Sequence, residues 1–95
     1  MISVKVSDKK ITISGHAMFA DYGKDIVCSA CSSIVTTTVN GCLSISKDSL
    51  EYEVNSDGME ITIKSNDEVT SKLIENMVNL LLELESDYPN NIKVK

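Results

Sequence analysis

The sequence has no tryptophan, one phenylalanine and three tyrosines, and its acidic residues outnumber its basic ones to give a formal net charge of -5. Proteins that bind RNA or DNA directly need a basic surface, and many need aromatic side chains on which bases stack. The composition therefore argues against direct nucleic-acid binding. The acidic excess favours a basic partner, such as a peptide rich in lysine and arginine, although so mild an imbalance also fits plain solubility.

The chain does not open with a continuous apolar segment, because polar and apolar residues alternate from Met1 to Val6. A secretory signal peptide needs such a segment, so we expect a cytoplasmic protein. The three cysteines cannot all pair within one chain, and without secretion there is no reason for them to be oxidised. We therefore expect three thiols.

Residues 26–46 contain no charged side chain, which raises the question of a membrane span. Nine of these residues are Ser, Thr or Asn, so the segment is too polar for a typical span. Small or apolar side chains follow a helical stripe through it, at Val27, Cys31, Ile34, Thr38, Cys42 and Ile45. We expect a helix buried against the rest of the protein and no membrane partner.

Two pairs of short segments alternate between apolar and polar residues, which predicts two β-hairpins. Apolar positions of the first pair are Ile2, Val4 and Val6, then Ile11 and Ile13; those of the second are Leu50, Tyr52 and Val54, then Met59, Ile61 and Ile63. Residues 55–58, Asn-Ser-Asp-Gly, supply the turn of the second hairpin. One face of each strand is apolar, which suits an antiparallel sheet covered on one side by helices.

A second helix is predicted after residues 65–68, which have the spacing of a capping box that begins at Ser65. Its apolar positions are Val69, Leu73, Met77, Leu80, Leu81 and Leu84, and Pro89 ends it before a short strand at Ile92 and Val94. The element order is then ββαββαβ. This order predicts a single α+β domain over residues 1–95, with an antiparallel-rich sheet and both helices on one face.

Asp25 is a good N-cap residue, which predicts that Ile26, Val27 and Cys28 are the first three residues of the uncharged helix. Backbone amides in a first helical turn have no intrahelical acceptor, so the Cys28 thiol would lie in positive potential. That potential stabilises a thiolate and lowers the thiol pKa from ~8.5. A free amide of the same turn could also receive the oxyanion of an acyl intermediate. Cys28 is therefore the candidate nucleophile.

The single histidine, His16, ends the second predicted strand and begins the loop that leads to Cys28. Imidazole is the only side chain in this sequence that can take a thiol proton near neutral pH. His16 is therefore the candidate general base, provided that the loop folds back toward the helix.

Two stretches around these residues, Gly15 to Ala17 and Gly23 to Cys28, resemble the signature of the ribosomal-processing cysteine protease family, called Prp. The predicted element order and the chain length are similar to that family as well, so the resemblance covers essentially the whole chain. It implies a small homodimeric protease that uses His16 and Cys28. The implied substrate is large-subunit ribosomal protein twenty-seven, from which an N-terminal extension is removed. The sequence departs from the family at Cys31, where the family more often has a small aliphatic residue.

The loop between the two candidates offers further roles. Asp25 could orient His16 as a third catalytic residue, although its position favours helix capping. Candidates for gripping an apolar substrate segment are Met18, Phe19 and Tyr22, with Gly23 allowing the loop to close over a peptide.

Two other functions stay open at this stage. One is a non-enzymatic ribosome-assembly module that recognises the extension without cutting it. The other is a thiol oxidoreductase, because Cys28 and Cys31 have the C-x-x-C spacing, but the element order is not thioredoxin-like. Cys42 lies eleven residues beyond Cys31, or ~16 Å along a helix. Three thiols and a histidine cannot share one tetrahedral ion across that distance, so we expect neither metal nor cofactor.

Overall fold

The architecture is given by a computed structural model that describes residues 1–15 and 26–95. Its elements are β1 (Ile2–Val6), β2 (Lys10–Ser14), α1 (Ile26–Ile45), β3 (Leu50–Asn55), β4 (Gly58–Ile63), α2 (Glu68–Asp87) and β5 (Ile92–Val94). The predicted order ββαββαβ and the α+β class are confirmed. The predictions for His16, Met18, Phe19, Tyr22, Gly23 and Asp25 concern residues outside the described part of the chain.

The described strands form one open sheet in the order β3-β4-β2-β1-β5. β1 pairs antiparallel with β2, β2 with β4, and β4 with β3. β5 instead runs parallel to β1, with Ile2 opposite Ile92. The sheet is thus mixed and mainly antiparallel, and its apolar face carries α1 and α2, which also contact each other.

The side of α1 that enters the core differs in part from the predicted stripe. The buried residues are Val27, Cys31, Val35, Val39 and Cys42. Ile45 is 63% exposed, and the Thr38 hydroxyl donates a hydrogen bond to the carbonyl of Ile34 at 2.9 Å instead of entering the core. The residue that shares a helix face with Cys31 can lie three or four positions further along the chain. In α1, two β-branched valines at four-residue spacing occupy the core.

α2 begins two residues later than the capping box that starts at Ser65 would place it. The N-cap is Asp67, whose Oδ1 accepts a hydrogen bond from the Thr70 N–H at 2.8 Å. Ser65 supports this cap by donating its hydroxyl to Asp67 Oδ2 at 2.7 Å. The helix buries Thr70, Ile74, Met77 and Leu81, so the predicted core positions Val69 and Leu80, 49% and 37% exposed, were wrong.

β3 is an edge strand that the helices cover only at one end. Leu50 is buried, but Tyr52 and Val54 on the same strand face are 49% and 65% exposed. The prediction of a fully covered apolar face is therefore wrong for the far end of β3. That uncovered end lies near the first half of α1 and borders the cavity considered below.

By length and apolar composition alone, α1 would pass as a membrane span. The core helix of a soluble protein passes the same test, and α1 packs its buried residues against the sheet and α2.

Candidate active site

Cys28 is the third residue of α1 and lies in the helix's first turn. α1 is described from Ile26 onward, directly after residues 16–25, which lie outside the described part of the chain. The Cys28 side chain is half-buried and packs against the edge of the hydrophobic core. All three cysteines are thiols and take no part in a disulfide. A thiol in this position is accessible from one side and lies near the amino-terminal end of α1 as described, where the helix dipole favours negative charge.

A cavity of about 380 Å³ opens beside Cys28, between α1 and the turn that joins β3 to β4. Its apolar wall is formed by Ile2, Ile13, Val35, Val54 and Met59. Ser32 and Thr36 line the helix side, and residues 55–58 line the side opposite. The cavity is therefore mostly apolar with a polar rim, which is the usual composition of a site that binds a small ligand or a side chain.

The end of β2 reaches the same cavity. Gly15, the last described residue before His16, lines it together with Cys28. Gly15 adopts a φ of 87°, a conformation that favours glycine, and donates its N–H to the carbonyl of Asp57 at 2.9 Å. A Cβ at Gly15 would collide with the backbone carbonyl of Met1. The described chain therefore reaches the residue before His16 at the wall of the cavity that contains the candidate nucleophile.

The turn between β3 and β4 is held in place by its own hydrogen bonds. Asn55 Oδ1 accepts from the N–H groups of Asp57 and Gly58, both at 2.9 Å. Gly58 packs directly against the backbone of Ile13, where a Cβ would not fit. Sequence reasoning identified this turn but did not place it beside Cys28, because the pairing of β4 with β2 is a long-range contact that no local pattern encodes.

Cys31, the second thiol of the cavity, differs from Cys28 in exposure and in charge. Its side chain is only 3% exposed. Burial, with a smaller contribution from Cys28, raises the pKa of Cys31 to about 11. Burial and the charge of Asp67 likewise raise the pKa of Cys42. At neutral pH both are neutral thiols inside the core, which leaves Cys28 as the accessible nucleophile of the three.

No cluster of three or more His, Cys, Asp or Glu side chains with a geometry suited to a metal ion occurs within residues 1–15 and 26–95.

Comparisons with known proteins give matches that extend over most of the chain. A family model described as "Cysteine protease Prp" matches residues 1–93. The ribosomal processing cysteine protease Prp of Mycoplasma genitalium is 30% identical over 96 residues, which cover 99% of this chain and 94% of the relative. The protein of the same name from Bacillus subtilis is 30% identical over 89 residues, covering 86% of this chain and 80% of the relative.

A similar fold is found among solved structures. The crystal structure of the essential ribosomal processing protease Prp from S. aureus, in complex with a covalently linked product peptide, superposes with a TM-score of 0.85 at 22% identity. The superposition covers 99% of this chain and 95% of that one. The likeness extends over both helices and the whole sheet, so the fold of the present chain is the fold of that protease.

Proposed function

Because the chain belongs to the cysteine protease Prp family and is a cysteine protease of ribosomal protein processing, we propose that Cys28 is its nucleophile and His16 its general base. One observation carries this assignment. The half-buried Cys28 thiol, in the first turn of α1, shares a cavity with Gly15, and His16 is the residue that follows Gly15 in the chain.

The proposed reaction begins when His16 takes the proton of the Cys28 thiol. The thiolate attacks the carbonyl carbon of the scissile peptide bond, and the carbonyl oxygen becomes an oxyanion that accepts hydrogen bonds from backbone amides at the start of α1. The carbon–nitrogen bond then breaks, and the imidazolium of His16 gives its proton to the departing amine. Water, deprotonated by His16, hydrolyses the thioester and restores the Cys28 thiol.

The substrate in this proposal is the precursor of large-subunit ribosomal protein twenty-seven, cut at an N-terminal extension. Relatives of the chain carry the name ribosomal processing cysteine protease, and the S. aureus protein was also solved with a substrate peptide. The net charge of -5 favours a basic substrate, as ribosomal proteins generally are. The apolar wall of the cavity accepts an apolar side chain of the extension beside the scissile bond.

The loop roles follow the same proposal. Met18, Phe19, Tyr22 and Gly23 contact the apolar part of the extension, and Asp25 caps α1. The protein acts in the cytoplasm, where ribosomal precursors occur, and requires neither nucleic acid nor a membrane.

We also propose a homodimer. The outward side of α1 carries exposed Ser, Thr, Asn and Ile side chains and no charge, whereas a solvated helix face normally carries charged residues. An uncharged helix face of this kind suits contact with a second copy of the chain. Sedimentation of the wild type should give the mass of two chains. The double variant Thr37→Glu and Asn40→Glu should give the mass of one chain.

The proposed activity is tested with a peptide that spans the extension and the mature N-terminus. Mass spectrometry should detect two products from the wild type and none from Cys28→Ser, because a serine hydroxyl is a far weaker nucleophile than a thiol near neutral pH. Cys42→Ala, which removes a thiol remote from the cavity, is the matched control and should cleave. Binding of the peptide without shorter products would refute the substrate assignment and favour the recognition module. A Cys28–Cys31 disulfide that forms reversibly, together with an activity that requires Cys31, would favour the oxidoreductase.

A further inference from the structure

The outer edge of β3 has no neighbouring strand within the described part of the chain. Its register with β4 is unbroken from Leu50, opposite Ile63, to Asn55, opposite Gly58. An edge strand turns every second pair of N–H and C=O groups away from its sheet, where another chain can pair with them. Natural edges are commonly blunted by proline, lysine or a bulge, and β3 has none of the three. β3 therefore offers a regular edge to an extended peptide.

The two faces of this edge differ in chemistry. Tyr52 and Val54 continue the face on which Leu50 is buried, yet both are exposed. Glu51 and Glu53 lie on the opposite face, because side chains alternate along a strand, and both are exposed as well. A chain that pairs with β3 places its own side chains beside these two rows. It is complementary to them when apolar and basic residues alternate along it.

The carboxylate of Glu53 lies opposite a second carboxylate in its own sheet. Its partner in the register is Glu60 on β4, and like charges in such a pair are unfavourable. Glu60 forms an ion pair with Lys10 at 3.3 Å. Glu51 likewise forms one with Lys64 at 3.7 Å. Among residues 1–15 and 26–95, Glu53 has no such basic partner. A lysine or arginine of a docked chain would supply that positive charge.

A second copy of this chain fits the edge poorly. Two β3 strands that pair antiparallel about Tyr52 bring Glu51 of each copy opposite Glu53 of the other. Like charges directly opposite each other destabilise a strand pair. The same carboxylates attract a basic chain, and the net charge of -5 acts in the same direction. The edge therefore favours a basic partner over self-pairing.

The edge of β3 leads into the cavity beside Cys28. Val54 and Asn55, at the end of the strand, line that cavity together with Cys28. The strand advances ~10 Å from Tyr52 to Asn55, at ~3.3 Å per residue. A chain bound along β3 therefore reaches the cavity within a few residues.

We propose that the N-terminal extension of the substrate docks as an added strand on the edge of β3, which selects an alternation of apolar and basic residues. This inference rests on the proposed function, because it takes the extension as the occupant. Backbone hydrogen bonds along the edge provide affinity, and the alternate side chains provide specificity. The side chain of the extension that enters the cavity contacts Val54, and the residues before it in the extension continue along β3.

Binding to the intact protein is measured by fluorescence anisotropy with a short labelled peptide in which leucine and lysine alternate. The wild type should bind it more tightly than an isomer in which the leucines and the lysines form two blocks. Glu53→Lys should weaken binding by ~5-fold, the scale of an exposed charge pair, and Tyr52→Ser should weaken it through lost apolar contact. Glu83→Lys, which makes the same charge change at an exposed position of α2, is the matched control and should bind like the wild type.

Methylation of the peptide nitrogens tests the strand pairing itself. Every second N–H of an added strand faces β3, and an N-methyl group removes that donor. Of the two peptides methylated at alternate residues, one should lose binding and the other should keep it. Equal binding by both methylated peptides, or by the alternating and block isomers, would overturn the inference.

Cleavage of the peptide that spans the extension connects the edge with the reaction. Neither Tyr52 nor Glu53 lines the cavity with Cys28. Tyr52→Ser and Glu53→Lys should therefore raise KM several-fold with kcat nearly unchanged, as the loss of uniform binding does. Both side chains are exposed, so both variants should keep the thermal midpoint of the wild type.

The inference and the proposed function fail in different ways. Cleavage by the wild type with an unchanged KM in both variants would overturn the inference and leave the proposed function intact. A decrease of the sedimenting mass in either variant would assign the edge to a second copy and would also overturn the inference. Selective binding of the alternating peptide without any cleavage of the extension would overturn the proposed function, and with it the extension as the occupant.

Discussion

Alkylation of the folded protein should separate the three cysteines by reactivity, and the structure gives the size of the difference. The pKa of Cys31 is raised to about 11 by burial and by Cys28. At pH 7 such a thiol is about 0.01% thiolate, whereas an ordinary thiol with a pKa of ~8.5 is about 3% thiolate. An ordinary thiol at position 28 would thus react about 300-fold faster than Cys31 from ionisation alone. The greater exposure of Cys28 increases the ratio, and so would the helix terminus and His16.

The assay uses limiting iodoacetamide from pH 6 to pH 9, followed by digestion and peptide mapping. Cys28 should be modified first at every pH, with the largest contrast at the acid end. Labelling of Cys31 should increase about tenfold per pH unit over this range, because each unit below its pKa lowers the thiolate fraction tenfold. Cys42, whose pKa is also raised by burial, should react more slowly than an ordinary thiol. Denatured protein is the control, in which the three cysteines should react at similar rates.

The reasoning would be refuted if the folded protein labelled all three cysteines at comparable rates. Labelling of Cys28 at pH 6 that does not change in His16→Ala would refute the ion pair specifically. In that case the first turn of α1 would remain as the sole source of thiolate stabilisation.

The remaining predictions concern the general base and the second helix. His16→Ala should lower the cleavage rate by ~100-fold or more, the usual loss for a missing general base. The cleavage rate of the wild type should also fall toward low pH. Steady-state rates measured from pH 5 to pH 8 check both predictions, and a rate unchanged by the substitution would show that His16 has only a structural role. Hydrogen bonds from the Thr70 N–H and the Ser65 hydroxyl lower the pKa of Asp67 in the folded protein. The Asp67 carboxylate therefore stabilises the fold above the unfolded pKa of ~3.9, and this stabilisation is lost as the pH falls through the lower folded pKa. Asp67→Ala should therefore lower the thermal midpoint of unfolding at pH 7 and scarcely change it at pH 2. Asp67→Asn, whose side chain can still cap the helix, should have a thermal midpoint close to that of the wild type at pH 7. Equal decreases in the thermal midpoint of both variants would contradict the capping role.

Local patterns in the sequence were sufficient to predict the order of elements. Alternation with a period of two marked the hairpins, and the uncharged run marked α1. The placement of Cys28 in a first helical turn stays a prediction that rests on Asp25 as the N-cap. The pairing of His16 with Cys28 stays a prediction, since residues 16–25 lie outside the described part of the chain.

Features that depend on choices between near-equal alternatives were not predicted correctly. Three consecutive residues that cap helices well precede α2, and the sequence does not reveal that Asp67 rather than Ser65 takes the role. Likewise, α1 offers two apolar rows beyond Cys31, and only packing against the sheet selects the row through Val35 and Val39. The parallel pairing of β5 with β1 is likewise a tertiary contact between the two ends of the chain.

The cavity itself depends on contacts between three segments that are far apart in sequence. The β3–β4 turn lies against the end of β2, because Gly58 lets its backbone approach Ile13 closely and Gly15 donates its N–H to Asp57. The opposite wall is the first half of α1, whose buried residues join it to the same core. The turn and the end of β2 are thus held to each other within the sheet, and the core holds the helix with the candidate nucleophile against them. The position of a cysteine near a helix start does not by itself indicate catalysis. Cys28 is a candidate catalytic residue because this framework keeps an apolar cavity open beside it.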